Sequence, residues 1–282
     1  MSVEAIGSQP DNIVQTQDGL IPLTSGEIHL WLTLPDEIDE AGLLIAYRAL
    51  LNAAEKEQEA RFYFARDRHR YLVTRTLVRT VLSRYIAVAP RDWMFSTNAY
   101  GRPQAVNKGA TDCSLSFNIS HTDRLIVLGV TRRRSLGVDV ENVVTRKISI
   151  DIANRYFASQ EVAALRAVLP DQQQYRFYEY WTFKESYIKA RGMGLSLPLD
   201  KFSFHFANDH IVELAIDPEL GDDAARWEFW QFQPTSEHLL AVCAERIDAQ
   251  SPRLIVRKRI PMKSEEMVTP KFLRTSDSIG SQ

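Results

Sequence analysis

The chain has 282 residues, of which 45% are hydrophobic and 25% charged, with 34 basic against 36 acidic side chains and a net charge of −2. That length can bury a sizeable core in one or two domains, and the balanced charge carries no footprint of a nucleic-acid binder. Two cysteines, Cys113 and Cys243, exclude a disulfide framework, and no apolar run reaches the length of a membrane span, so a cytoplasmic protein is expected.

Residues 1–25 are polar, lack a basic start followed by an apolar block, and are expected to form a mobile tail rather than a secretory signal. Glu27 to Leu34 alternates apolar and polar and reads as a first strand, broken by Pro35. A short helix over Leu43 to Leu51 precedes a long charged helix over Ala53 to Tyr85. Leu72, Val73, Thr76, Leu77, Thr80 and Val81 form its core stripe, and its arginines form a mostly solvated face. Asn98-Ala99-Tyr100-Gly101-Arg102-Pro103 is turn chemistry, in which Gly allows a positive φ and Pro fixes the exit. Strands over Leu115 to Ile119, Leu125 to Thr131 and Leu136 to Val140 follow, the last two joined by the basic turn Arg132-Arg133-Arg134-Ser135. Helices are expected over Ile148 to Phe157 and Ser159 to Val168, then a longer one over Tyr175 to Ala190 that Gly192 and Gly194 end. Alternating segments at 202–206, 210–216, 226–234 and 239–247 read as antiparallel strands, with Trp227, Phe229 and Trp230 as core. Residues 248–282, basic and then Ser-rich, read as a loosely attached tail.

The chemistry concentrates in two places. Asp139 and Glu141 lie two apart on a strand, so both carboxylates point to one face. Trp181, Glu185 and Lys189 are four apart on the long helix and share a face. Taken alone, Glu185 and Lys189 are a solvated surface pair. Beside two further carboxylates, Glu185 completes a set suited to a hard cation that keeps waters and phosphate oxygens. A lone His121 at a strand end is more often structural, and no nucleophile elbow surrounds Ser120.

These residues carry a resemblance. Gly137-Val138-Asp139-Val140-Glu141 and Trp181-Thr182-Phe183-Lys184-Glu185-Ser186-Tyr187-Ile188-Lys189 resemble the signature pair of the 4′-phosphopantetheinyl transferases, most closely the long bacterial, surfactin-synthetase-activating type. Tyr100-Gly101-Arg102-Pro103 and Phe117-Asn118-Ile119-Ser120-His121 match two further family motifs in the same order, and the likeness covers roughly residues 28 to 246. It implies an α+β fold of two similar halves packed as an intramolecular pseudo-dimer, each with an antiparallel sheet against a long helix. The halves would be residues 26–134, on the coenzyme A side, and residues 135–247, carrying the metal and the catalytic helix.

The implied reaction moves phosphopantetheine from coenzyme A to a serine of an apo acyl or peptidyl carrier protein and releases 3′,5′-ADP. Asp139, Glu141 and Glu185 would hold Mg²⁺, with Mn²⁺ also open. Glu185 is the candidate base, and Lys189, Asp139 and His121 complete the catalytic set. Arg66, Tyr100, Gly101, Arg102, Pro103, Asn118, Ser120, His121, Lys184 and Lys189 would contact the coenzyme, Arg66 at the 3′-phosphate, and Tyr100 and Arg102 beside the adenine. Lys184 would touch the coenzyme or orient Glu185. Partners would be the coenzyme and acidic carrier domains, met by basic groups such as Arg132 to Arg134 or Arg146-Lys147, with neither nucleic acid nor membrane. The length points to a monomer. A Mg²⁺-dependent pyrophosphate hydrolase and a non-catalytic carrier-binding relative remain alternatives.

Overall fold

The computed structural model describes residues 19–145, 148, 151–247 and 251–276. The chain runs β1 (Glu27–Thr33), α1 (Ala41–Leu50), α2 (Ala53–Arg61), α3 (Ala65–Leu82), a small hairpin β2 (Phe95–Thr97) and β3 (Pro103–Ala105), then α4 (Lys108–Asp112). Three strands follow: β4 (Leu115–Thr122), β5 (Leu125–Arg132) and β6 (Leu136–Asn142). Next come α5 (Asp151–Tyr156), α6 (Ser159–Ala167) and α7 (Gln173–Arg191). The remainder is β7 (Phe202–Phe206), β8 (Val212–Ile216), β9 (Trp227–Thr235), β10 (His238–Glu245), β11 (Arg253–Ile260), β12 (Ser264–Val268) and β13 (Phe272–Thr275). The fold is α+β.

Period-two alternation sorts these strands into layers. One sheet has the order β12-β11-β1-β5-β4 and another the order β13-β9-β10-β6. Ile28, Leu30 and Leu32 of β1 and Leu125 and Val127 of β5 form one core with Leu136, Val138 and Val140 of β6 and Leu240 and Val242 of β10. The alternate residues face outward. Trp31, Ile126, Leu128 and Val130 pack on Leu72, Val73 and Leu77 of α3, while Leu239, Ala241 and Cys243 pack under Phe183 and Tyr187 of α7. The two sheets are thus face to face with a helix layer outside each, which is why β5 and β10 are buried along nearly their whole length. Gly129 in β5 lies at a point of close approach between the two sheets. A Cβ there would lie 2.9 Å from Leu136 and 3.0 Å from Val138.

Several expectations are corrected. The single helix over 53–85 is two, because Phe62, Tyr63 and Phe64 break it; three successive aromatics lose side-chain freedom in a helix. Arg68 Nη1 donates to the Phe62 and Tyr63 carbonyls at 2.7 and 3.0 Å, satisfying groups the helix would have used. The arginine face is not wholly solvated. Arg79 is fully buried, bonded to Glu55 and to the carbonyls of Pro90, Arg91 and Trp93. Arg134, in the basic turn offered as a partner-facing group, is buried and donates to the carbonyls of Glu245 and Ser25.

The segment after 248 is no loose tail over its described part. β11 pairs parallel with β1 and antiparallel with β12, and β13 adds to β9, so one segment contributes to both sheets. The five-stranded sheet is therefore mixed rather than antiparallel, since a strand arriving from far along the chain is free to run parallel. The basic residues that made this segment look solvated are paired: Arg253 with Glu27, Lys258 with Glu37, Arg259 with Glu265. Of the expected N-terminal tail, residues 1–18 lie outside the described residues. The rest is anchored by buried Leu23 and by Ile21 N donating to the Arg84 carbonyl. Arg146 and Lys147 lie outside the described residues, and the described part of the helix expected at 148–157 is Asp151–Tyr156.

Candidate active site

The site forms where β4, the edge of one sheet, meets β6, the edge of the other. No backbone ladder joins them. Side chains of β4 take the place of one: Val138 N donates to Asn118 Oδ1 at 2.9 Å, Val140 N to Ser120 Oγ at 3.3 Å, and Asn142 N to Thr122 Oγ1 at 3.2 Å. Alternate residues on each strand make this register, and it answers the unpaired amides an edge leaves.

The opposite face of β6 carries Gly137, Asp139 and Glu141 toward α7. A Cβ on Gly137 would sit 1.9 Å from the Ser186 carbonyl oxygen and 2.5 Å from the Ala190 amide nitrogen. The missing side chain lets helix and strand touch, and that contact brings Trp181, Glu185 and Lys189 over the two carboxylates. Lys189 Nζ donates to Asp139 Oδ1 at 2.7 Å and to Ser120 Oγ at 2.9 Å. Ser120 in turn donates to Asp139 Oδ1 at 3.1 Å. The serine hydroxyl thus uses its one donor and both acceptor sites.

Charge is crowded here. Burial, then the charge of Asp139, pushes the Glu185 carboxyl up to about 7, with Lys189 pulling the other way. Glu141 is likewise raised to about 7 by burial and by Asp139, against Lys189 and a hydrogen bond from Trp181. Asp139 is buried, and its Oδ2 has no hydrogen-bond partner. Among the described residues no three acidic, histidine or cysteine groups close on one point. Asp139, Glu141 and Glu185 are instead neighbours whose charges repel, with one buried oxygen unspent. Such a set fits a hard cation that draws its remaining ligands from water and phosphate.

The other expected residues divide. His121 stands next to the end of β4, its imidazole pKa lowered by burial of the ring and by the nearby cations Arg70 and Lys189. Arg66 is exposed on the first turn of α3, and Tyr100 is exposed on the β2–β3 turn, where Gly101 adopts φ +84°. Asn118 is spent on the β6 amide. Arg102 points at α7 rather than outward: Nη1 donates to the carbonyls of Lys189 and Ala190, and Nη2 to that of Leu136. Lys184 is corrected outright. It is fully buried, with Nζ on Glu161 and on the carbonyls of Leu199 and Phe202, so it reaches neither the surface nor Glu185. Burial raises the Glu161 pKa and lowers that of Lys184, and their attraction opposes both.

Two further contributors stand beside these. Trp181, on the face shared with Glu185 and Lys189, stacks on Phe157 and Phe177 and also bonds Glu141. Its place four residues before Glu185 was the available signal. Arg70, held by Asp67 at 3.0 Å, lies in one of the many arginine positions of α3, and nothing local singles it out.

Comparison with known proteins gives two family matches. Residues 135–243 match the 4′-phosphopantetheinyl transferase superfamily, and residues 40–132 match the N-terminal region of 4′-phosphopantetheinyl transferases. A 4′-phosphopantetheinyl transferase of Bacillus subtilis is 37% identical over 200 residues, covering 71% of this chain and 84% of that protein. The 4′-phosphopantetheinyl transferase Sfp of Bacillus subtilis is 35% identical over 202 residues, covering 72% and 85%. The 4′-phosphopantetheinyl transferase HetI of a Nostoc species is 32% identical over 176 residues, covering 62% and 73%. With the signature residues gathered at one seam and relatives this similar along most of its length, the chain belongs to the 4′-phosphopantetheinyl transferase superfamily.

Proposed function

We propose that the seam between β4, β6 and α7 transfers phosphopantetheine from coenzyme A to a serine of an apo carrier protein. The observation that carries this reading is the meeting of Asp139, Glu185, Lys189 and Ser120, from three separate elements, around one unspent carboxylate oxygen. The serine oxygen attacks the β-phosphorus, the bond from that phosphorus to the departing 3′,5′-ADP oxygen breaks, and the hydroxyl proton goes to a base. Glu185, whose carboxyl is raised by burial and by Asp139 when no cation is beside it, is the base in this reading, directly or through a water. Lys189 holds phosphate oxygens as a point charge, and Ser120 aims it. Asp139, Glu141 and Glu185 would hold Mg²⁺ or Mn²⁺, which supplies positive charge to offset the negative charge growing on the pyrophosphate. Trp181 orients Glu141 in that set.

Arg66, Tyr100, Gly101, Pro103, Ser120 and His121 line the coenzyme side in this reading, with Arg70 as an added cation near His121. The layered arrangement supports two similar halves, α3 over the sheet of β1, β5 and β4 and α7 over that of β6, β10 and β9. In this reading the protein acts as a monomer on acidic carrier domains in the cytoplasm.

The test is intact-mass spectrometry of an apo carrier protein after incubation with this protein, coenzyme A and Mg²⁺. A gain of one phosphopantetheine, abolished by chelator and by Glu185→Gln, is expected. No gain on any carrier, or coenzyme cleaved without transfer, overturns the reading.

A further inference from the structure

The turn Asn98–Pro103 and the turn Gly192–Gly194 interlock. Arg102 Nη1 lies 3.0 Å from the Lys189 carbonyl and 3.2 Å from that of Ala190, and Nη2 lies 3.1 Å from the carbonyl of Leu136, the first residue of β6. Asn98 Nδ2 donates to the Gly192 carbonyl at 2.9 Å, while its Oδ1 accepts from the amides of Tyr100 and Arg102. Two positive-φ glycines complete the fit. Gly192, at φ +67°, would place a Cβ 3.3 Å from Arg102 Nη1, and Gly194, at φ +56°, one 3.7 Å from the Tyr100 carbonyl.

The last carbonyls of a helix have no partners within it and carry the negative end of its dipole, so a half-buried guanidinium there is held by charge as well as geometry. Its planar fork spans two elements at once, which an ammonium does less well. One of these carbonyls belongs to Lys189 itself, and Leu136 lies three residues before Asp139 on the same strand. Arg102 therefore ties down the backbone on both sides of the 2.7 Å contact between Lys189 and Asp139.

We propose that Arg102, seated by Asn98, is a positioning residue for Lys189. It locks the end of α7 to the start of β6, and so sets the spacing of the phosphate-holding lysine from the carboxylates. This inference rests on the transferase reading above. It differs from a direct coenzyme contact by Arg102, because it assigns the guanidinium to the turnover step and not to binding.

The experiment compares wild-type, Arg102→Ala and Arg102→Lys proteins in single-turnover transfer to an apo carrier protein, with coenzyme A affinity measured by calorimetry. Transfer by the wild-type protein tests the underlying reading independently. Expected for Arg102→Ala is a fall in the transfer rate at saturating coenzyme of about 10- to 100-fold, with coenzyme affinity changed by less than threefold. Arg102→Lys, which keeps the charge without the fork, should recover part of the rate. Arg102 is half-buried and borders a cleft of about 420 Å³, so its truncation leaves no closed cavity and the alanine variant should fold. If it does not fold, a reduced rate at unchanged affinity in Arg102→Lys carries the test. A rate at the wild-type level in a folded variant overturns the proposal, as does a tenfold loss of coenzyme affinity with the saturated rate unchanged.

Discussion

Lys189 and Asp139 meet across the junction of helix and strand, Nζ 2.7 Å from Oδ1, and share Ser120 as a third partner. One lysine thus answers a buried carboxylate while standing beside two others whose pKa values are raised to about 7. Removing it leaves a buried charge without its counter-ion and a pyrophosphate without a donor. Lys189→Ala should lower transfer by about 100-fold or more. Ser120→Ala, which leaves both charges in place, should cost less. Single-turnover mass spectrometry of the carrier protein checks the order, and a larger loss in the serine variant would reverse the roles.

The raised carboxyls make a pH prediction. Glu141 and Glu185 have folded-state values of about 7 against an ordinary 4.5, so the folded protein keeps protons that the unfolded chain gives up. Their contribution is therefore neutral below about pH 4.5 and becomes a growing penalty as pH rises toward 7, of order a few kcal/mol for the pair. In chelator, Glu185→Gln should melt several degrees above wild type at pH 8 and level with it at pH 4.5, while losing transfer. Equal midpoints at both pH values would remove the charge-crowding account.

Gly137 has a structural consequence that a control can isolate. Gly137→Ala drives a Cβ into the backbone of α7 and should cost about 3 kcal/mol, with transfer falling because Lys189 moves with the helix. Gly42→Ala, in α1 with nothing within 4 Å of its Cβ, should be neutral or gain about 0.5 kcal/mol. Urea unfolding of the two variants gives the comparison.

Lys184 and Glu161 are both shielded from solvent, so breaking the pair strands a charge. Lys184→Met should cost about 3–5 kcal/mol, and adding Glu161→Gln should return part of it, since the amide oxygen can still accept from a backbone amide. Calorimetry on the folded single variant should find coenzyme A affinity unchanged. A tenfold weaker affinity would return Lys184 to the coenzyme site.

Sequence alone determined which residues could do the chemistry and which face each would take. Asp139 and Glu141 fell together because a strand repeats every two residues. Trp181, Glu185 and Lys189 did so because a helix nearly repeats every four, and Gly192 stopped that helix where a left-handed residue was needed. These are local properties, carried by spacing and by the backbone freedom of single residues. Only the tertiary structure decided the fate of charges whose partners are distant in the chain: Arg79 with Glu55, Lys184 with Glu161, Arg274 with Glu179. It also turned the basic C-terminal segment into strands of both sheets, and aimed Arg102, expected beside the adenine, at the carbonyls of α7 and β6. Whether an arginine is solvated or buried depends on what arrives beside it, and no local pattern records that arrival.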